Sequence, residues 1–248
     1  MKKIFNQFVF QPIVNQYKEI KMYEMLYKPV NGQKHTSLDD YFNDLSEEEA
    51  IEFDFYTLES LERYLECCPE YVKFSINISP LSILNPRFMQ KVKNMIVHNK
   101  IDFSRVCLEI VENRKLPDLS LKTICFLEVL KNEYCAISLD DFTKGHLHWE
   151  LLQNKFVDYI KIINSKSKSS AKQRLFHKNM VNFCHSLKVK AILENVETEE
   201  AFLLGKNNGF DFFQGFYFNK PETIFEVAVC EQMYLSKKEQ NHFSSGYE

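Results

Sequence analysis

Glycine is scarce in this chain, with 6 residues in 248. No G-x-G-x-x-G or G-x-x-x-x-G-K-[ST] run follows a strand-like segment, which excludes the two common glycine-built phosphate cradles. Long apolar runs are missing too. None approaches the ~18 residues that a membrane-spanning helix needs. The opening MKKIFNQFVF has lysines but neither the apolar core nor the small-residue cleavage site of a secretion signal. Cysteine number is odd, at 7, and no C-x-x-C pair occurs. A disulfide framework or zinc site is therefore not expected, and reduced thiols in the cytoplasm fit better. The histidines lack any H-E-x-x-H spacing, and His146 and His148 read as ordinary loop residues. A net charge of -3 provides no global basic field, so DNA is not an expected partner. Lys166 to Lys172 is basic but has no interleaved aromatics, and reads as a solvated loop. The expectation is a soluble cytoplasmic protein with neither membrane nor DNA contacts.

What the chain does have is a repeated alternation of strand-like and helical patterns. Hydrophobic residues at 45% can fill a large core without covalent staples. Strands are expected at Phe8 to Val14, Ile20 to Tyr27, Tyr71 to Ile78, Val106 to Val111, Cys135 to Leu139, Val157 to Ile162, Val189 to Leu193 and Phe210 to Phe218. The first two are joined by a polar turn and can pair antiparallel. Helical spacing follows most of the others, as in Glu47 to Leu65, where Ile51, Phe55, Leu58, Leu61 and Leu65 fall near one face. Further helices are expected at Asn85 to His98, Leu119 to Glu133, near Glu150, Ala171 to Leu187, Thr198 to Asn208 and Glu222 to Tyr234. Eight βα-like units at this length favour an α/β, TIM-like (β/α)8 barrel over an open doubly wound sheet. One domain spanning 1–235 and a polar tail at 236–248 are expected.

Polar residues interrupt strands that ought to be apolar. Glu109 lies between Leu108 and Ile110, where it is either an edge-strand residue facing water or part of a site. Asp140 and Asp141 end the strand CAISL, as a helix cap or as a bridge between two cations. Lys161 lies within VDYIKII, where a charged partner or a catalytic role is favoured. Asn77 precedes Pro80 and suits a turn. Glu24 and Lys28 share a strand face by period two, although a surface ion pair has the same spacing. Glu194 and Glu197 lie at another strand end, and Gln214 sits among aromatics. Glu24, Asn77, Glu109, Asp140, Asp141 and Glu194 together form a set of oxygen donors from several strands. Such a set favours hard cations, Mg²⁺ or Mn²⁺.

In this order the motifs resemble the EAL family of bacterial cyclic di-GMP phosphodiesterases. The resemblance rests on Gln11-Pro12-Ile13, Glu24-Met25-Leu26-Tyr27-Lys28, Asn77-Ile78-Ser79-Pro80, Leu108-Glu109-Ile110-Val111-Glu112, Asp140-Asp141-Phe142, Lys161-Ile162, Glu194-Asn195-Val196-Glu197-Thr198, Gln214-Gly215-Phe216 and Lys220-Pro221. It covers Phe8 to Tyr234. An unrelated Mg²⁺-dependent barrel lyase would share the donors but not this order. The resemblance implies a barrel with its first strand antiparallel to the others, a homodimer, and hydrolysis of cyclic di-GMP to linear pGpG. It implies two ions held by Glu24, Asn77, Glu109, Asp140 and Asp141, with Glu194 nearby. Lys161 would orient or deprotonate the attacking water, and Gln214 would position water or substrate. Lys28, Gln11 and Leu26 would face the nucleotide, while Glu112 and Glu197 would anchor loops.

The chain departs from the family pattern at several points. Lys28 replaces an arginine, which keeps the charge but loses the bidentate fork. Thr143 replaces the glycine after the aspartates, Ile163 an aspartate, and Asn195 a glycine. Asparagine tolerates the left-handed backbone that a glycine there would adopt. No receiver-, PAS- or GGDEF-like segment precedes the domain in this sequence, so control by a fused sensor is not expected. The departures support a second reading, a weakly active or inactive module that binds a regulatory protein or the nucleotide.

Overall fold

Each strand presents alternate residues to opposite faces, so closing the sheet sorts every strand into an inward and an outward set. The computed structural model describes residues 8–28, 38–116, 118–142, 146, 148–164 and 171–223. Its strands are β1 Phe8–Asn15, β2 Ile20–Tyr27, β3 Phe74–Ile78, β4 Val106–Ile110, β5 Ala136–Leu139, β6 Tyr159–Ile163, β7 Lys190–Glu194 and β8 Phe212–Gln214. They close into a barrel in chain order. β1 is antiparallel to both β2 and β8, and every other neighbouring pair is parallel. The α/β barrel and its reversed first strand are as expected.

Two apolar layers hold the barrel. The outward faces of the strands pack under the helices around Phe74, Ile76, Leu108, Ile137, Ile160 and Leu193, all buried. Each such side chain contributes roughly 1.5–3 kcal/mol relative to exposure. A smaller cluster of Ile13, Met22, Cys107 and Ile192, packed by Ala136, Tyr159 and Phe212, fills the barrel interior. These residues stand two positions from Gln11, Glu24, Glu109, Glu194, Ser138, Lys161 and Gln214 on the same strands. By period two they share the inward face. The interior is thus apolar at one level and polar at the next.

Several helices begin on side-chain caps. α1 is Leu38–Asp44 and α2 is Glu47–Cys67. Ser46 and Glu49 form a reciprocal capping box at the start of α2. Leu58, Leu61 and Leu65 are buried as their spacing predicts, whereas Ile51 and Phe55 are only half-buried. α3 Pro80–Leu84 starts on Ser79, whose hydroxyl accepts from the Leu81 N–H, with Pro80 at the first helical position. α4 Pro86–Val97 starts on Asn85. α5 is Leu121–Asn132, α6 Trp149–Gln153, α7 Ala171–Ser186 and α8 Glu199–Asn208.

Three differences from the sequence expectation have local causes. α1 and α3 are additional and short, so they leave little periodic signal. β8 ends at Gln214 instead of running to Phe218, because Gly215 abuts the backbone at Val196. A Cβ at Gly215 would lie 2.2 Å from the Val196 carbonyl oxygen. Glu222, the expected start of the last helix, instead bridges Phe10 in antiparallel fashion. The rest of that helix, the tail, most of Lys166 to Lys172, and Thr143 in the loop after the aspartates lie outside the described residues. Among the described residues, no helix is long and apolar enough to cross a membrane.

Candidate functional site

The polar level of the barrel interior converges on Lys161 of β6. Its Nζ lies 3.2 Å from Glu24 Oε2, 2.8 Å from Glu109 Oε2, 3.1 Å from Asp140 Oδ1 and 2.9 Å from Glu194 Oε1. The lysine side chain is 1% exposed, so every one of these contacts is made out of bulk water. Register assembles the partners. Glu24 pairs with Ser75 across β2 and β3, Asn77 with Glu109 across β3 and β4, and Glu109 with Ser138 across β4 and β5. Asn77 Nδ2 donates to Glu24 Oε1 at 2.9 Å. Gln214 Nε2 donates to Glu24 Oε2 at 2.5 Å and to Gln11 Oε1 at 3.1 Å. Ser75 donates its hydroxyl to Glu109 Oε1.

This geometry decides several readings that the sequence left open. Glu109 is buried inside a closed barrel, not on a sheet edge. Glu24 turns inward to Lys161, whereas Lys28 is exposed just beyond β2. Asp140 and Asp141 cap no described helix, because α6 begins later, at Trp149 after its N-cap His148. Carboxylate oxygens of Asp140, Asp141 and Glu194 all lie within 4.8 Å of one another. Asp141 has φ 41° and Asn195 φ 55°, both in the left-handed region that Asp and Asn tolerate.

A cavity of about 850 Å³ opens over this cluster. Glu24, Asn77, Asp140 and Asp141 line it on the barrel side, with Leu26 and Glu112 at its margin. Tyr27, Phe42 and Phe53 form an aromatic wall. The Glu112 carbonyl accepts the His146 N–H at 3.1 Å. Lys28 and Glu197 are exposed, and neither is among the described residues lining the cavity. His146, outside any helix or strand, also lines it, while His148 is buried against the Val111 carbonyl.

Sequence reasoning passed over Ser75, Ser138, Asp54 and Arg114. For the two serines the signal was available, because each stands two residues before a selected residue on the same strand. Asp54 is a buried helical carboxylate that accepts from Ser79 N–H and Ser82 Oγ–H. Arg114 lines the cavity from a loop with no periodic signal.

The electrostatics are those of a site with too little positive charge. Burial raises the Glu109 carboxyl, and the nearby Glu24 charge adds to this. Glu194 is likewise held well above the carboxylate range by burial, with Asp140 and Glu24 adding to it against the opposing Lys161 charge. At Glu24 burial is outweighed by the Lys161 charge and by hydrogen bonds from Gln214 and Asn77, so its carboxyl is lowered. Burial opposes the Lys161 ammonium, but the four carboxylates prevail and keep it protonated. Several oxygens also lack donors. Asn77 Oδ1, Ser138 Oγ and Gln214 Oε1 are buried without a hydrogen-bond partner. Asp140 Oδ1 is at ion-pair distance from Lys161 but accepts no hydrogen bond. Unmatched acceptors and excess buried negative charge are both costly. Hard divalent cations would relieve both, so the donor set fits them.

The EAL domain family model matches residues 5–221, and the chain belongs to this family. Cyclic di-GMP phosphodiesterase PdeF of Escherichia coli K12 is 28% identical over 158 residues, 62% of this chain and 21% of that protein. Cyclic di-GMP phosphodiesterase PdeA of Borreliella burgdorferi is 31% identical over 154 residues, 61% of this chain and 23% of that protein. The chain thus spans under a quarter of these relatives' lengths. An EAL domain protein from Listeria monocytogenes EGD-e superposes with a TM-score of 0.77 at 21% identity, covering 94% of both chains. Klebsiella pneumoniae BlrP1, solved with calcium and cyclic di-GMP, gives 0.72 at 22% identity, over 88% of this chain and 56% of that one. At these identities the structural likeness concerns the fold.

Proposed function

We propose that this chain hydrolyses cyclic di-GMP to linear pGpG with divalent ions, Mg²⁺ or Mn²⁺, at the C-terminal end of its barrel. The observation that carries the reading is the convergence of four carboxylates on one buried lysine beneath a large cavity, with oxygen acceptors left unsatisfied. Family membership and the names of the relatives support the substrate. In the reaction a water oxygen bonds to one phosphorus, the opposite P–O3′ bond breaks, and the departing 3′ oxygen takes a proton. Glu24, Asn77, Glu109, Asp140 and Asp141, with Glu194, would hold the ions. When bound, the ions supply positive charge against the phosphate and favour the ionised form of the attacking water. Lys161 holds its proton and acts as a donor toward water or phosphate oxygen. Gln214 and Asn77 fix the Glu24 carboxylate from either side. Gln11 orients Gln214, and the aromatic wall suits the flat faces of guanine.

A weakly active binding module is the second reading, favoured by the exposed position of Lys28 beyond β2. Incubation with cyclic di-GMP and Mg²⁺ or Mn²⁺, followed by chromatography for pGpG, separates the two. Wild type should form pGpG and Glu24→Ala should not. Saturable binding without product above the Glu24→Ala background would favour the module.

A further inference from the structure

The cavity presents a problem of charge. Glu24, Asp54, Glu112, Asp140 and Asp141 line it, and its proposed occupant carries an anionic phosphodiester. Divalent ions answer part of this repulsion on the barrel side only. Among the described lining residues, Arg114 is the one lysine or arginine. It follows the end of β4, on the loop where barrel enzymes place functional groups. The guanidinium is half-buried and donates through Nη2 to the Leu45 carbonyl, between α1 and α2. That bond ties the loop after β4 to the segment between α1 and α2, and both residues line the cavity. Among the described residues, no carboxylate pairs with it. A guanidinium has further N–H donors in a rigid fork that matches a phosphodiester or a guanine edge. Lys28 offers no such fork and is not among the described residues lining the cavity.

We infer that Arg114 is the residue that binds the substrate's phosphodiester at the cavity mouth and makes the site selective for an anionic dinucleotide. This rests on the proposed phosphodiesterase reading. The Leu45 carbonyl holds the fork in place, and the remaining N–H groups face the anion. Arg114 takes part in none of the contacts around Lys161, so its contact would act on substrate binding in ground and transition states alike.

The test compares wild type with Arg114→Gln, Arg114→Lys and Lys28→Ala on cyclic di-GMP and on bis(p-nitrophenyl) phosphate. Arg114→Gln removes the charge but is too short to hold the Leu45 contact in place, so Arg114→Lys, which keeps charge and reach without the fork, is the control for the structural tie. Thermal midpoints establish that each variant is folded. Arg114→Gln should raise KM for cyclic di-GMP roughly tenfold to a hundredfold with kcat little changed, as loss of a charge-assisted contact would. Arg114→Lys should fall between, and the salt dependence of KM should flatten in Arg114→Gln. An active wild type with Arg114→Gln indistinguishable from it, or with the KM effect confined to Lys28→Ala, overturns the role of Arg114 and leaves the activity standing. A wild type that neither binds nor cleaves either compound overturns both.

Discussion

Lys161 is the residue on which the site's stability turns. It is the only cation in contact with Glu24, Glu109, Asp140 and Glu194 among the described residues, and all of these contacts are shielded from water. Removing one member of a buried ion pair leaves uncompensated charge behind. Lys161→Met should therefore destabilise the protein by about 3–5 kcal/mol at pH 8 in the presence of a chelator. Mn²⁺ should restore much of that loss by neutralising the same carboxylates. Urea unfolding with and without Mn²⁺ measures both quantities. Unchanged stability in chelator would show that the cluster carries no net negative charge. At this scale much of the site was legible. Lys161, Glu109 and Asp140 are conspicuous because ionisable groups seldom stand inside apolar strands. Ser75 left a weaker mark: period two sets it on the face of Asn77, but serine is unremarkable in a strand until its partner on β4 is known. Arg114 was hidden for the opposite reason: in ENRKLP it is one cation of a polar loop, and only the folded chain brings it to Leu45.

Among the secondary-structure elements, Asp54 joins α2 to the start of α3. Its carboxyl is pushed up from 3.8 to about 7 by burial, against the opposing hydrogen bonds from Ser82 and Ser79. Between those values the folded state binds more protons than the unfolded state. Stability from this group is present at low pH and lost as pH rises through about 7. The slope is at most about 1.4 kcal/mol per pH unit for one proton. Asp54→Asn, which keeps an acceptor for both donors, should flatten the fall in thermal midpoint between pH 5 and pH 8 relative to wild type, in about the window set by the shift. Parallel curves for the two proteins would show that Asp54 is ionised throughout. The same element level shows why boundaries were read less well than element types. Period two marks the strands, but β8 stops where Gly215 meets Val196, a contact between distant segments that no local pattern encodes. α1 and α3 are short, and the Ser79 cap of α3 resembles an ordinary turn.

At the scale of the whole molecule, the reversed β1 matters because it lets β1 and β8 meet antiparallel, pairing Ile13 with Gln214. That pairing brings Gln214 to both Gln11 and Glu24, to each of which it donates directly. Chain closure thus builds the site from both ends of the domain. The alternation that predicted a barrel also predicted which residues point inward, since an inward residue on each strand recurs every second position. What it could not supply was depth: which inward residues form the apolar cluster and which form the polar level depends on stagger between strands. The central claim is that this polar level is a divalent-cation site serving phosphodiester hydrolysis. The most direct measurement is the rate of pGpG formation from cyclic di-GMP as Mn²⁺ is titrated into wild type and Asp140→Asn. The account predicts no product without added ion, saturation with Mn²⁺ in wild type, and a requirement at least about tenfold higher in the variant, with a lower plateau. Product formation that is independent of Mn²⁺, or titration curves that coincide for the two proteins, would contradict it.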